Sequence, residues 1–207
     1  MKVLLLNGSP RPKGNTALAL EEMVKVFAQE GIEAEIIPVG KQLIRGCVAC
    51  GGCKKLGKCV FDDAVNEIAE KFRDADGLVA ASPVYYASAN STLTAALDRL
   101  FHSTSFDKTM KVGASVAVAR RGGCSATFDQ LNKYFTISGM PIVPSQYWPM
   151  VHGTSPADVE RDEEGLQIMR QLARNMAWMV KSFALAREHG ILPPAPESER
   201  KRTNFIR

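Results

Sequence analysis

A chain of 207 residues, 45% apolar and 23% charged with a formal charge of +4, has ordinary globular composition and enough length for one good-sized core. No stretch reaches the roughly 20 apolar residues of a bilayer span, and Val3-Leu4-Leu5-Leu6 is too brief for a signal peptide, so a cytoplasmic protein away from membranes is expected. Arg200, Lys201, Arg202 and Arg207 crowd into the C-terminal tail rather than onto a folded face among aromatics, which argues against nucleic acid as a partner. Five cysteines without an export signal argue against a disulfide framework, because cytosolic thiols are kept reduced.

Residues Val3 to Asn7 read as a buried strand, followed by a helix from Asn15 to Gln29 with Ala19, Met23, Val26 and Phe27 on one face and Gly31 as its stop. A second strand is predicted at about 34–39, ahead of a cysteine-rich segment, 47–59. Asp62 or Asp63 can cap the next helix, which runs to about Arg73. A third strand spans 77–82 and leads through a Pro-Tyr-Tyr loop to a helix with Leu93, Leu97, Leu100 and Phe101 on one side. A fourth strand is read at 112–119, a helix at about 127–138, and a fifth strand near 142–147. The last helix, about 164–188, carries Leu166, Met169, Leu172, Met176, Met179 and Phe183 at helical spacing. Residues 1–190 are expected to form one domain with the cysteine loop inserted, and 191–207 a tail.

Strands separated by helices of this length favour parallel pairing through right-handed crossovers. The expected fold is therefore α/β, a doubly wound parallel sheet of five strands with helices on both faces. Such sheets bind ligands beyond the carboxyl ends of their strands, where the strand order reverses. That directs attention to the loops after strands one, three and four.

The first of these loops, Asn7-Gly8-Ser9-Pro10-Arg11-Pro12-Lys13-Gly14-Asn15-Thr16, joins a buried strand to a helix N-terminus. Free N–H groups and the helix dipole suit that position to a phosphate. Ser9, Asn15 and Thr16 add short polar side chains and Arg11 a charge. The same residues would also serve as a plain βα turn with Asn15 or Thr16 as the helix cap. The spacing matches neither the dinucleotide Gly-x-Gly-x-x-Gly pattern nor the Lys-Ser/Thr phosphate loop, which leaves a mononucleotide phosphate as the better fit. The second loop, Ser82-Pro83-Val84-Tyr85-Tyr86, offers an apolar, aromatic edge to a planar ring, or core packing for the two tyrosines.

Together with Leu97-Asp98-Arg99, these motifs resemble the NADPH-dependent FMN reductase family of flavodoxin-like proteins over roughly residues 1–150. The resemblance implies FMN, its phosphate held by Ser9, Arg11, Asn15 and Thr16 and its ring beside Pro83, Val84, Tyr85 and Tyr86. It also implies that Arg120, Arg121, Gly122 and Gly123 line the other side of the ring, although an arginine pair is as readily a solubilising turn. NAD(P)H is then the expected donor, and a homodimer or dimer of dimers the expected assembly.

Cys47, Cys50, Cys53 and Cys59 fall at C-x2-C-x2-C-x5-C spacing, and four thiolates hold a cubane iron–sulfur cluster. Zinc also takes four thiolates, but usually from two separated pairs; a run of reduced thiols without metal is the third reading. The spacing resembles that of the iron–sulfur flavoproteins within the same group, which implies a [4Fe-4S] cluster exchanging electrons with FMN and a ferredoxin as an alternative donor. Two functions follow. One is an enzyme passing electrons to a quinone, azo, nitro or oxygen-derived acceptor, with or without the cluster; the other is a flavodoxin-like electron carrier with no small substrate. Cys124 reads as a small buried residue, and no histidine is read as catalytic.

Overall fold

Val3, Leu4, Leu5 and Leu6 are all wholly buried, which requires a strand covered on both faces. They form the centre of β1 (Lys2–Asn7) in a computed structural model that describes residues 1–195 together with 197, 199, 201 and 203. Arg200, Arg202 and Arg207 lie outside the described residues.

The chain continues through α1 (Asn15–Gln29), β2 (Glu33–Pro38), a short α2 (Cys53–Leu56), α3 (Ala64–Asp74) and β3 (Gly77–Tyr85). A two-residue β4 (Ser88–Ala89) precedes α4 (Ser91–Ser103), β5 (Val112–Ala119), α5 (Cys124–Ile137), β6 (Met150–His152), α6 (Pro156–Arg161) and α7 (Glu163–Glu188). The five main strands are parallel in the order β2-β1-β3-β5-β6, with β4 folded back antiparallel on β3. After β1 the chain steps one way to β2 and later returns to the other side of β1 with β3. The order therefore reverses between β1 and β3, and the loops at their carboxyl ends diverge around a crevice.

Side-chain alternation assigns the two cores. Val3, Leu5, Val79 and Ala81 face α1 and α7, packing on Leu20, Met23, Phe27, Met169, Leu172 and Met176. Leu4, Leu6, Leu78 and Ala80 face the other way, onto Val65, Ile68, Phe72, Leu93, Leu97 and Phe135. Helices thus cover both faces of the flavodoxin-like sheet, as expected. Among the described residues no helix is long and apolar enough to cross a membrane.

The fifth strand lies later than predicted. Residues 142–147 contribute a single bridge, Ile142 to Gly113, and the ladder resumes at Met150–His152. Pro144 and Pro149 have no N–H to give a ladder, so the segment between them swings away from the edge and rejoins through the bond from Ala117 N–H to Pro149 O. The helix expected from about 127 starts at Cys124, behind Gly123 in the left-handed region at φ +96°.

Candidate functional site

The bond from Ser9 N–H to Asn7 Oδ1, 2.9 Å, closes an Asx turn at the end of β1 and sets the course of the first loop. Arg11 N–H then donates to Ser9 Oγ at 3.2 Å, and Gly14 N–H to Arg11 O at 3.1 Å. The loop delivers the chain to α1, whose N-cap is Gly14, without any capping side chain and without an acidic residue in the first turn. Neither Asn15 nor Thr16 caps the helix. Asn15 instead donates across the crevice to Gly153 O at 2.7 Å, tying the start of α1 to the loop after β6.

These residues wall one side of a cleft of about 650 Å³, open mouth included, lined by Ser9, Arg11, Asn15 and Thr16. Pro83, Val84 and Tyr85 form another wall, with Val118, Ala119, Arg120, Gly153 and Thr154 closing the remainder. Two guanidinium groups and a helix N-terminus with unclaimed N–H groups face a space with no acidic lining residue. That combination attracts an anion, and a phosphate above all. The donor set and the apolar Pro83–Tyr85 wall fit a phosphorylated planar ring such as FMN.

Ser82 fixes the ring-side wall by accepting from Asn90 N–H at 2.8 Å and donating to Pro83 O at 2.9 Å. Gln130 Oε1 holds β4 by accepting from Ser88 Oγ at 2.8 Å and Ala89 N–H at 2.9 Å. Between Tyr85 and Ser88 the chain turns through Tyr86 (φ +51°) and Ala87 (φ +56°), a two-residue hairpin with both central residues in the left-handed region. Non-glycine residues pay strain there, and such strain gathers at ligand sites. The turn points Tyr86 fully into solvent, outside the cleft lining. Arg121, Gly122 and Gly123 likewise flank the cleft without lining it, Gly123 passing so near Val84 and Ala87 that a Cβ would meet them at 2.8 and 2.9 Å.

Several contributors escaped the sequence reading, Val118 and Ala119 at the end of β5 among them. Gly153 and Thr154 come from beyond β6, where composition signals nothing; Thr154 and Ser155 donate their N–H groups to Asp158 Oδ2. Hydrogen bonds from Ser155, with Arg161 alongside, hold the Asp158 carboxyl below its usual range. Asn7 positions the loop, as an Asn ahead of a Gly at a strand end can signal. Gly40, after β2, lies against the backbone of Gly8 and Ser9. Trp148 does not reach the cleft: it is half-exposed, 6.2 Å from Phe128 between ring centroids.

The cysteine segment lines a second cavity. Among the described residues no three His, Cys, Asp or Glu side chains stand together as a ready-made metal group. Yet Cys47, Cys50, Cys53 and Cys59 all line one cavity of about 340 Å³, open space included, with Phe61, Arg99, His102 and Ser103. All four are free thiols. Left-handed turns at Ala49, Gly51 and Gly57 bend the backbone between successive cysteines, and Asn66 clamps Cys59, accepting from its N–H at 3.0 Å and donating to its carbonyl at 3.1 Å. Four free thiols on the wall of one cavity are, by donor type and number, the set that a thiolate-bound cubane takes. The cavity shares no residue with the cleft; α4 links them, starting beside Asn90 and reaching the cysteines at Arg99, about 12 Å along its axis from Ser91.

Residues 1–155 match the NADPH-dependent FMN reductase family. An iron-sulfur flavoprotein of Methanocaldococcus jannaschii is 38% identical over 190 residues, covering 87% of this chain and 98% of that protein. One from Methanosarcina thermophila is 31% identical over 180 residues, covering 85% and 93%. Among solved structures, RosB superposes with a TM-score of 0.70 at 17% identity, over 100% of this chain and 92% of that one. A flavodoxin from the domain Archaea superposes at 0.60 and 14% identity, over 87% and 99%.

Proposed function

The chain belongs to the NADPH-dependent FMN reductase family and is a flavin-dependent oxidoreductase, and on that premise we propose that it couples the flavin to a [4Fe-4S] cluster. Electrons pass from NAD(P)H or reduced ferredoxin to a quinone, azo, nitro or oxygen-derived acceptor. The observation that carries the reading is the pairing of an acid-free, arginine-bearing cleft at an uncapped helix N-terminus with a single cavity ringed by four free thiols. The names of the relatives support the second half.

In this reading the α1 N–H groups, Ser9, Arg11, Asn15 and Thr16 bind the FMN phosphate, while Pro83, Val84 and Tyr85 orient the ring. Arg120 faces the ring from the end of β5 and favours negative charge on it. Tyr86, Arg121, Gly122 and Gly123 act from the rim: Gly123 lets the β3–β4 hairpin approach, and Tyr86 stands out as a flap. Cys47, Cys50, Cys53 and Cys59 hold the cluster. When bound, FMN supplies one- or two-electron transfer and a cubane one-electron transfer, so the protein's own part is to bind, orient and set the charge around them.

A homodimer or dimer of dimers in the cytoplasm completes the proposal. The apolar stripe of α7 is spent within the subunit, where Met169 and Met176 are wholly buried and Met179 packs against the core, so it gives the assembly no support. The exposed Tyr86, Trp148 and Trp178 do.

The test is an absorption spectrum of anaerobically purified protein with flavin, iron and labile-sulfide assays, followed by turnover with NADPH, NADH and reduced ferredoxin. Flavin with four irons and acceptor turnover supports the proposal. Flavin without iron leaves a plain NAD(P)H-dependent reductase; both cofactors without acceptor turnover leave an electron carrier.

A further inference from the structure

Arg99 is the largest fully buried side chain of the described residues, at 1% exposure, in the middle of the apolar face that Leu93, Leu97 and Leu100 give to α4. A buried guanidinium is costly unless its donors are all engaged. Asp63 takes two of them, Nη1–H to Oδ2 at 2.6 Å and Nη2–H to Oδ1 at 2.9 Å. Arg45 O and Phe61 O accept at 3.3 and 3.4 Å. The remaining Nε–H points at sulfur, donating to Cys59 Sγ at 3.2 Å. All five of its N–H groups are therefore engaged, and a guanidinium stays charged in proteins.

Two further observations tie this arginine to the sulfur site. Among the described residues Arg99 is the only Lys or Arg lining the cysteine cavity, although Lys54, Lys55 and Lys58 are close by in sequence. One turn along the same helix face, Ser103 lines the cavity too, and its Oγ is the one buried side-chain polar atom among the described residues with no hydrogen-bond partner. A buried hydroxyl without a partner is a donor awaiting an acceptor.

We propose that α4 supplies the hydrogen-bonding wall of the sulfur site. Arg99 positions Cys59, the cysteine set furthest from its neighbours in sequence, and Ser103 donates to sulfur inside the cavity. Donors and positive charge beside the sulfurs stabilise the more negative, reduced form of a thiolate-bound cluster, so both residues raise its reduction potential. Neither need touch FMN or substrate; both are positioning residues. The inference rests on the cluster reading above.

The experiment is a redox titration of the cluster in anaerobically prepared holoprotein, followed by EPR, with iron and sulfide counted in each variant. Arg99→Gln removes a positive charge and a donor and shifts the potential to more negative values. Asp63→Asn keeps a capping side chain on α3 but removes a negative charge beside Arg99, and shifts it to more positive values. Ser103→Ala gives a smaller negative shift with full iron content. A merely structural role would lower iron content without opposed shifts. Wild-type potentials in iron-replete Arg99→Gln and Ser103→Ala overturn this inference alone, whereas wild-type protein without iron or sulfide overturns the cluster reading and this inference with it. Where Arg99→Gln fails to assemble the cluster, Asp63→Asn and Ser103→Ala, which keep the arginine, decide the matter by the same shifts.

Discussion

Gly40→Ala tests whether the phosphate loop is held from behind by β2. A Cβ on Gly40 would sit well under 3.0 Å from Gly8 O, Gly8 C and Ser9 C, where ordinary contact begins at 3.4 Å. All three are backbone atoms, so no side chain can rotate away. The segments are also cross-tied: Val39 N–H and Gly40 N–H both donate to Asn7 O, at 2.9 and 3.0 Å, and Gly8 N–H donates to Ala81 O at 2.8 Å. The nearest of the three backbone atoms, Gly8 O, would be 2.2 Å away, so relief requires the two stretches of backbone to part by at least about 0.8 Å, which displaces Ser9 from the cleft. Overpacking of this kind costs about 1–3 kcal/mol, and if all of it reached the ligand site the FMN dissociation constant would rise about 5- to 150-fold. The assay is quenching of flavin fluorescence on titrating FMN with apoprotein, beside urea unfolding of the same apoprotein. Gly46→Ala is the control, since a Cβ there meets nothing within 4 Å. Wild-type FMN affinity and wild-type stability in Gly40→Ala would refute the reasoning.

Arg11→Ala should weaken FMN binding about tenfold and Thr16→Ala about fivefold, with unfolding midpoints unchanged, and unaltered affinity in both would remove the phosphate assignment. Cys50→Ser or Cys53→Ser should lose iron and sulfide yet retain FMN, because the cysteine cavity and the cleft share no residue; ferredoxin-dependent flavin reduction should fall sharply while any direct NAD(P)H reaction survives. Burial pushes the Cys124 thiol from 9.0 up to about 11. The folded state therefore binds the proton more tightly than the unfolded one, so the associated stabilisation is complete below pH 9.0 and is lost as pH rises towards 11. Cys124→Ala should lose less stability than wild type across that window in denaturant titrations. Light scattering at micromolar concentration should give the mass of a dimer or tetramer, and a monomer would refute the proposed assembly.

The alternating strands and helices were legible because burial leaves a local imprint. A strand covered on both faces must be apolar at every position, as Val3–Leu6 is, and a helix on a sheet must repeat its apolar residues with its own turn, as Ala19, Met23, Val26 and Phe27 do. That Ser9, Arg11, Asn15 and Thr16 share one wall of the cleft was legible for a similar reason: they are neighbours in sequence, at the junction where a strand ends and a helix begins. Periodicity failed near 142–147, where backbone donors rather than side chains decide the pairing and prolines interrupt it. It was equally silent on the outward turn of Tyr86, which depends on Tyr86 and Ala87 both taking the left-handed region in the two-residue turn between β3 and β4.

The four cysteines announced themselves by spacing alone, but not what surrounds them. Arg99 looked like one member of a Leu-Asp-Arg run on a helix; only the folding of α4 beneath the loop turns its Nε–H to Cys59 and its fork to Asp63, 36 residues away in sequence. Gly40 behind the loop and Gly153 across the cleft from Asn15, 138 residues apart, were decided in the same way. Local sequence determines which backbone forms and which chemical groups it carries. The partners of those groups are chosen by the sheet order and the crossovers, because distance along the chain bears no fixed relation to distance in a doubly wound fold.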